Sequence, residues 1–164
     1  MGRQHARFCA LALCAALSAG VALAEPVCSA SAVFLITPSG TQMRFSAEVA
    51  DDVDERALGL MNREKLAASA AMLFVYPKPQ RAMFWMKNTL IPLDLLFLDE
   101  TGTVASVHAM AQPLDESRID GGEDVKFVIE INGGLAQKLG ISPGTVMLHP
   151  SVAPGAAKWP CPAE

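Results

Sequence analysis

The sequence predicts a mainly β fold: a compact, jelly-roll-like sandwich or barrel of about eight short strands with two short helices. Short apolar runs recur at fairly even spacing, and several alternate apolar with polar residues, as a strand with one buried face does. Turn signals that contain Pro or Gly separate the runs. The chain has 164 residues, 51% of them apolar and 18% charged. This is enough for a packed core in one domain and excludes a disordered or collagen-like chain.

The first elements are a predicted hairpin and a short helix. Residues 33–37 are an apolar run that ends in a Pro-Ser-Gly turn, and residues 43–49 alternate apolar with polar side chains. Asp52 precedes Glu55 by three residues, which is the spacing of a helix-capping box. A helix is therefore predicted from residue 53 to about residue 60.

Six further strands and a second helix complete the predicted fold. Residues 135–139 are predicted to be helical, with Gly140 as the stop. Residues 115–124 contain five acids and two glycines, which predicts an exposed loop. The apolar runs that indicate the strands are residues 72–76, 83–86, 93–99, 103–110, 125–131 and 145–148.

The N-terminal segment, residues 1–24, has the features of a secretory signal peptide. Two arginines give it a basic start, residues 8–17 are apolar, and it ends in Ala-Leu-Ala, a small-residue cleavage site at Ala24/Glu25. We expect a mature β-domain of residues 25–164 in the periplasm or outside the cell, with an uncleaved anchor as the alternative. No later apolar run reaches the roughly 18 residues of a membrane span, so no transmembrane segment is predicted in the mature chain.

Cleavage changes the charge and the cysteine content. The removed segment has two arginines and no acid, so the mature chain keeps 11 basic and 17 acidic residues and a net charge of −6. Nucleic acid is a poor partner for this balance. Only Cys28 and Cys161 remain, and in an oxidising compartment we expect them to form a disulfide. Two free thiols or an intermolecular bridge are the alternatives.

The densest polar stretch comprises Lys87, Asn88, Thr89 and Asp94, between two predicted apolar strands. Loops between rigid strands are common places for functional sites. Lys87 can bind an anion or act as a base, Asn88 and Thr89 can orient a ligand, and Asp94 can pair with Lys87 or accept hydrogen bonds. The same residue types also make a well-ordered turn, and spacing alone favours that interpretation.

Five sequence blocks, taken together, resemble a known family. In order and spacing they resemble the uncharacterised family catalogued as domain of unknown function 192, over about residues 34–150. The resemblance implies a compact, mainly β, jelly-roll-like domain that is often exported and has no established activity. The blocks are Gly59-Leu60-Met61, Met72-Leu73-Phe74, Phe84-Trp85-Met86-Lys87-Asn88-Thr89, Ile91-Pro92-Leu93-Asp94, and Val128-Ile129-Glu130-Ile131 before Gly133. The polar positions that match the family pattern are Arg63, Lys87, Asn88, Thr89, Asp94 and Glu130.

These polar positions indicate a non-catalytic module that binds a ligand or a partner. Arg63 and Lys87 favour a small anionic ligand with a carboxylate or phosphate group, and an envelope protein is the alternative partner. An enzyme with Lys87 and Asp94 as acid and base is a second hypothesis, and a purely structural module is a third. No cofactor is predicted, because the sequence lacks the phosphate-loop, nucleophile and paired-histidine motifs of the usual enzyme classes.

Sulfur and imidazole side chains form a further pattern. After Met86 and a gap of 21 residues come His108 and Met110, a spacing that half-resembles periplasmic copper-chaperone motifs, in which soft ligands select Cu(I). The upstream ligand of such motifs falls near Phe74 or Val75, and neither binds a metal. Because methionine is also a common core residue, a Cu(I) site is the less favoured hypothesis.

Overall fold

The computed structural model describes residues 27–162, and the predicted signal segment, residues 1–24, lies outside them. Within the described residues the chain forms seven strands and two helices. The strands are β1 (Ala32–Ile36), β2 (Gln42–Ala50), β3 (Ala70–Phe84), β4 (Leu93–Leu98), β5 (Val104–Ala111), β6 (Ile119–Asn132) and β7 (Val146–Leu148), and the helices are α1 (Val53–Leu58) and α2 (Leu135–Leu139).

The strands form one curled sheet in the order β5-β4-β6-β3-β2-β1-β7. Neighbouring strands are antiparallel except β2 and β3, which are parallel and connected through α1. The two sheet edges meet where Thr103 pairs with Val146 and where the Met147 amide donates to the Gly102 carbonyl over 2.8 Å. The curled half-barrel confirms the predicted mainly β fold class.

Two predicted strands, residues 72–76 and 83–86, belong largely to one long strand. β3 runs through Pro77 and Pro79, where a turn was predicted, and its pairing with β6 shifts register between Val75 and Gln80. Proline has no amide hydrogen to donate to a regular ladder, so the prolines lie where pairing is interrupted. The described chain therefore has seven strands where about eight were predicted.

The second half of the predicted acidic loop, residues 115–124, is also part of a strand. β6 begins at Ile119, which pairs with the end of β3. Arg81 of β3 forms ion pairs with Asp120 and with Glu123, the latter over 2.9 Å. Because the arginine offsets the acidic charge across the strands, this segment can join the sheet.

The two faces of the sheet carry two hydrophobic cores. The inner core includes Val104 and Met147, which come from opposite ends of the sheet and meet where it curls. The outer core lies on the other face, beneath the chain around Leu60 and Met86. Because side chains alternate along a strand, β6 contributes to both cores, and Glu130 falls on the outer face.

A disulfide joins the two ends of the described chain. Cys28 and Cys161 are bonded, with 5.6 Å between their Cα atoms, which confirms the predicted pairing. Neither helix in residues 27–162 has the length and apolar character needed to cross a membrane.

Candidate functional site

A cleft of about 260 Å³ opens over the outer face of the sheet. The chain from α1 to Met61 lines one side, and the end of β3 with Trp85 lines another. The sheet contributes Glu130, so the cleft combines apolar walls with a carboxyl group. The residues that line it are Arg56, Ala57, Leu58, Gly59, Leu60, Met61, Phe74, Tyr76, Met83, Phe84, Trp85, Thr89 and Glu130.

The two caps of α1 set where this wall begins and ends beside the sheet. The Asp52 carboxylate accepts a hydrogen bond from the Glu55 amide over 2.8 Å, as the capping-box spacing predicted. The helix ends at Gly59, whose φ is +50°. A Cβ at this position would lie 3.2 Å from the Phe74 ring, so glycine allows the wall to approach the sheet.

A backbone hydrogen bond connects the α1 wall to the chain that follows β3. The Asn62 amide donates to the Asn88 carbonyl over 2.8 Å. Both residues have positive φ, 61° and 54°, a conformation that asparagine tolerates better than most residues. Next to them, Thr89 is buried and lines the cleft. Asn88 therefore shapes the cleft through its backbone, whereas Thr89 lines it.

Glu130 is a buried acid on the outer face of the sheet. It pairs with Met72 of β3 on one side and Leu95 of β4 on the other, and only 5% of it is exposed. Its carboxyl forms no ion pair within residues 27–162. Burial raises its pKa to about 8, with no hydrogen bond or neighbouring charge to oppose the shift. The group is therefore mainly protonated at neutral pH and can donate a hydrogen bond.

Arg56 and Tyr76 lie together at the cleft, and the sequence did not reveal either of them. The Arg56 guanidinium lies 5.5 Å from the centre of the Tyr76 ring, and its Nη1 donates to the carbonyl oxygens of Val75, over 2.9 Å, and of Asp51. Burial raises the pKa of Tyr76, the Arg56 charge opposes this, and the Glu130 charge adds to it. Both charged groups therefore lie within electrostatic range of Tyr76.

Lys87 lies over an aromatic ring of the cleft. Its Nζ is 5.3 Å from the centre of the Trp85 ring, a cation–π contact. Trp85 is 49% exposed, whereas Phe84 packs edge-on against Phe74, with 5.3 Å between ring centroids. Trp85 is therefore the ring more accessible to a ligand.

Asp94 lies on the opposite face of the sheet. It is fully buried, and its two oxygens accept hydrogen bonds from the backbone amides of Met110, Gly134 and Ala136 over 2.8, 2.9 and 2.7 Å. It forms no ion pair with Lys87 in the described chain. The carboxylate holds the start of α2 and the end of β5, and the structure does not bring it together with Lys87.

Arg63 is engaged by a glutamate on β2. Its Nη1 and Nη2 donate to the two carboxylate oxygens of Glu48 over 2.6 and 2.7 Å. This bidentate pair lowers the pKa of Glu48 and raises that of Arg63. Glu48 is aligned with Met72, and Met72 with Glu130, so the ion pair lies on the cleft side of the sheet, two strands from Glu130. Arg63 is not among the residues that line the cleft.

Met86, His108 and Met110 do come together. They line a second, smaller cleft of about 120 Å³, together with Asp115 and other polar residues. Met86 is buried in the outer core, and Met110 is 47% exposed, with its sulfur 3.0 Å from where a Cβ of Gly133 would lie. No cluster of three or more His, Cys, Asp or Glu residues that could hold a metal occurs in residues 27–162.

The fold and the cleft define a small, mainly β domain with a cleft of mixed polar and apolar lining that contains a buried acid. The chain belongs to the domain of unknown function 192 family, described as an uncharacterised ACR, whose model matches residues 34–149. The family resemblance of the sequence blocks is thereby confirmed.

Solved structures similar to this chain include two at 40% sequence identity. A protein of unknown function from Novosphingobium aromaticivorans is 40% identical, with a TM-score of 0.68, over 71% of this chain and 82% of its own. A protein from Sinorhizobium meliloti described as a candidate transcription regulator is also 40% identical, with a TM-score of 0.70, over 75% of this chain and 95% of its own. No curated protein matches the chain.

Proposed function

We propose that the protein is an exported, non-catalytic module that binds a small anionic organic ligand in the cleft around Glu130. The observation that carries the proposal is the Glu130 carboxyl, which is buried, lines the cleft and has no ion-pair partner in the described chain. No fully buried side-chain oxygen or nitrogen of the described residues lacks a hydrogen-bond partner, so the Glu130 oxygens are reached from the cleft that Glu130 lines. A ligand in the cleft can therefore accept a hydrogen bond from this carboxyl.

The charges near the cleft favour an anion. Arg56 lines the cleft, and Lys87 lies over the Trp85 ring that lines it. Glu130 is the single acid among the described lining residues, and it is mainly protonated near neutral pH because burial raises its pKa to about 8. The cleft therefore has a net positive charge that attracts an anion.

The proposed site keeps part of the set that the sequence indicated. Lys87, Thr89 and Glu130 belong to it by their positions in or beside the cleft. Arg56 provides the cation that the sequence hypothesis assigned to Arg63, since Arg63 already has a bidentate partner. Asp94 is left out because backbone amides of the opposite face occupy its oxygens.

A binding screen with a matched pair of variants tests this function. The oxidised mature chain is mixed with a small-molecule library, and binding is detected by ligand-observed NMR and by a rise in melting temperature. We expect hits that Glu130→Ala weakens at least tenfold. Glu64→Ala, a change of an exposed acid that does not line the cleft, should bind the same compounds normally. Hits that both variants bind equally well, or no hits at all, would reject the proposal.

Export is tested by the mass of the protein recovered from its host. We expect the chain to begin at Glu25, to come from the periplasm or the medium, and to contain the Cys28–Cys161 disulfide. A chain recovered from the cytoplasm with residues 1–24 intact would contradict export and leave the binding proposal unaffected.

A Cu(I) site is a second candidate function, favoured by one observation: Met86, His108 and Met110 line the same small cleft. Two thioethers and one imidazole are the soft donors that suit Cu(I). The sequence spacing and the shared cleft are independent observations, and both concern the same three residues.

A Cu(I) titration against a competing chelator decides this second candidate. We expect binding tighter than micromolar that His108→Asn and Met110→Leu each weaken at least tenfold. Met83→Leu, which changes an exposed methionine outside the second cleft, is the matched control. Binding no tighter than micromolar in the wild type would remove the candidate.

A further inference from the structure

We infer that the cleft selects small monocarboxylates with an apolar body, whose carboxylate accepts hydrogen bonds from the Arg56 guanidinium and the Glu130 carboxyl. This inference rests on the proposed function and specifies the ligand of the same site. Four features of the cleft support it: the unused donors of Arg56, the protonated acid, the occupied aromatic faces and the apolar side chains that make up part of the lining.

Arg56 keeps one side of its guanidinium for a ligand. Its Nη1 donates to two backbone carbonyls, which fixes the side chain on the Tyr76 ring. Its Nη2 and Nε donate to no group in the described chain, and the side chain forms no ion pair there. The Nη2–Nε side of a guanidinium matches the two oxygens of a carboxylate. Arg56 is therefore an oriented cation with its bidentate side available.

Glu130 adds a donor of a different kind. Tyr76 senses the charge of both Arg56 and Glu130, and all three residues line the same cleft. A carboxylic acid can donate its proton in a short hydrogen bond to a carboxylate. Because burial holds Glu130 mainly in the protonated form at neutral pH, it presents a donor without introducing a negative charge beside the ligand.

Amines fit this cleft poorly. The face of an aromatic ring attracts a cation, but Arg56 already lies over the Tyr76 ring and Lys87 over the Trp85 ring. A ligand ammonium at either ring would lie close to a cation of the protein. The same rings would attract an ammonium only if those two side chains moved away.

Phosphate-type dianions also fit poorly, because Arg56 is the one cation among the described residues that line the cleft, and removing a dianion from water costs more than removing a monoanion. Polar and apolar groups share the lining, and its apolar part comes from side chains that include Leu60, Met61, Phe74, Met83 and Phe84. These side chains match the apolar body of an organic acid instead. The cleft volume of about 260 Å³ leaves room for a small body such as one ring.

A set of ligands that share one ring and differ in the polar group tests the inference. Benzoate, benzyl alcohol, benzylamine and phenyl phosphate are titrated into the oxidised mature chain, and binding is followed by NMR shifts of the Met61, Met83 and Trp85 signals. We expect benzoate to bind at least tenfold more tightly than each of the other three compounds. A preference for the amine or the phosphate would overturn the inference.

Two variants and a pH series assign the contacts. Arg56→Lys keeps the charge but loses the bidentate side, and we expect about tenfold weaker benzoate binding.

Above pH 8 we expect the affinity of the wild type for benzoate to fall up to tenfold per pH unit, because ionised Glu130 repels the ligand and no longer donates a hydrogen bond. Glu130→Gln keeps a donor and cannot ionise, so its affinity should not fall in this way. The same pH profile for wild type and Glu130→Gln would contradict the role of Glu130.

The outcomes separate this inference from the proposed function. If the alcohol or the amine shifts the same cleft signals and benzoate does not, the cleft binds ligands but the carboxylate inference is wrong. If the small-molecule library yields no compound whose binding depends on Glu130, the proposed function itself fails. Melting curves of Arg56→Lys show whether this variant is folded, and Glu130→Gln provides a second test if it is not.

Discussion

Two buried carboxyl groups on neighbouring strands differ in how their burial is compensated. Asp94 pairs in register with Ile131, and Glu130 with Leu95, so the two acids lie side by side on opposite faces of the sheet. Three backbone amides stabilise the Asp94 carboxylate, whereas burial alone acts on the pKa of Glu130. A buried acid whose burial cost is offset by hydrogen bonds, such as Asp94, supports the fold. A buried acid in a cleft whose burial cost is not offset, such as Glu130, is typical of a functional site.

Glu130 should make the stability of the protein depend on pH. Its pKa is about 8 in the fold and about 4.5 when unfolded, so between these values the folded state holds a proton that the unfolded state has lost. The free energy of unfolding therefore falls as pH rises from 4.5 to 8. Glu130→Gln removes this pH dependence. Between pH 4 and pH 9 we expect the unfolding free energy of this variant to rise, relative to that of the wild type, by up to about 5 kcal/mol.

Urea unfolding of both proteins across this pH range measures the gain. Other titrating groups are common to the two proteins and cancel in the difference. Parallel stability curves for the wild type and Glu130→Gln would show that Glu130 titrates normally in the fold.

Asp94 should matter for stability and not for binding. Asp94→Asn replaces one acceptor oxygen with an amide that cannot accept from the facing backbone N–H groups, and we expect a loss of about 4 kcal/mol in unfolding free energy. Chemical denaturation measures the loss, and Asp124→Asn, which changes an exposed acid, should have little effect. A loss below about 1 kcal/mol, or weaker binding of cleft ligands by the folded variant, would contradict a structural role.

At the scale of elements, the sequence correctly predicted the helices and strands whose structure depends on residues close together in the chain. The capping box of α1, the α2 helix before Gly140 and the alternation in β2 all depend on neighbours in the chain. Prediction was poorer for β3 and β6, because β3 pairs with β6 on both sides of its prolines and the partners are distant in the chain: Gln80 is aligned with Val125, 45 residues away. The cleft was partly missed for the same reason: only the folded sheet brings Arg56 and Tyr76 near Glu130.

Gly59 should determine how closely the α1 wall approaches the sheet. Its φ is +50°, and a Cβ at this position would lie 3.2 Å from the Phe74 ring. The position therefore leaves little room for a side chain. We expect Gly59→Ala to lower the unfolding free energy by about 2 kcal/mol and to weaken ligands of the cleft. Gly155→Ala, at a glycine with open space around it, is the control. Equal stability of the two variants would contradict this account.

At the scale of the whole molecule, the curled sheet is closed by contacts between distant parts of the chain. The segment after β7 packs Val152 into the inner core, and the Lys158 amide donates to the Thr101 carbonyl over 3.1 Å. The Cys28–Cys161 disulfide lies beyond these contacts and joins residues 133 positions apart. The noncovalent contacts position the C-terminal segment, so the disulfide is not needed to define its path.

The disulfide should therefore act mainly on the unfolded state. Closing so long a loop restricts the unfolded chain, by about 5 kcal/mol in the chain-entropy model, while the folded contacts of Val152 and Lys158 persist without it. We expect the double variant Cys28→Ser, Cys161→Ser to keep the wild-type NMR spectrum away from the bridge and to bind cleft ligands normally. It should melt some 10–20 °C lower, given the usual shift per kcal/mol for a domain of this size. Reduced wild type is the matched comparison, and it should melt at the same temperature as the double variant.

A rearranged NMR spectrum in either protein would mean that the disulfide shapes the native state. An unchanged melting temperature would mean that the unfolded chain gains little freedom when the disulfide is lost.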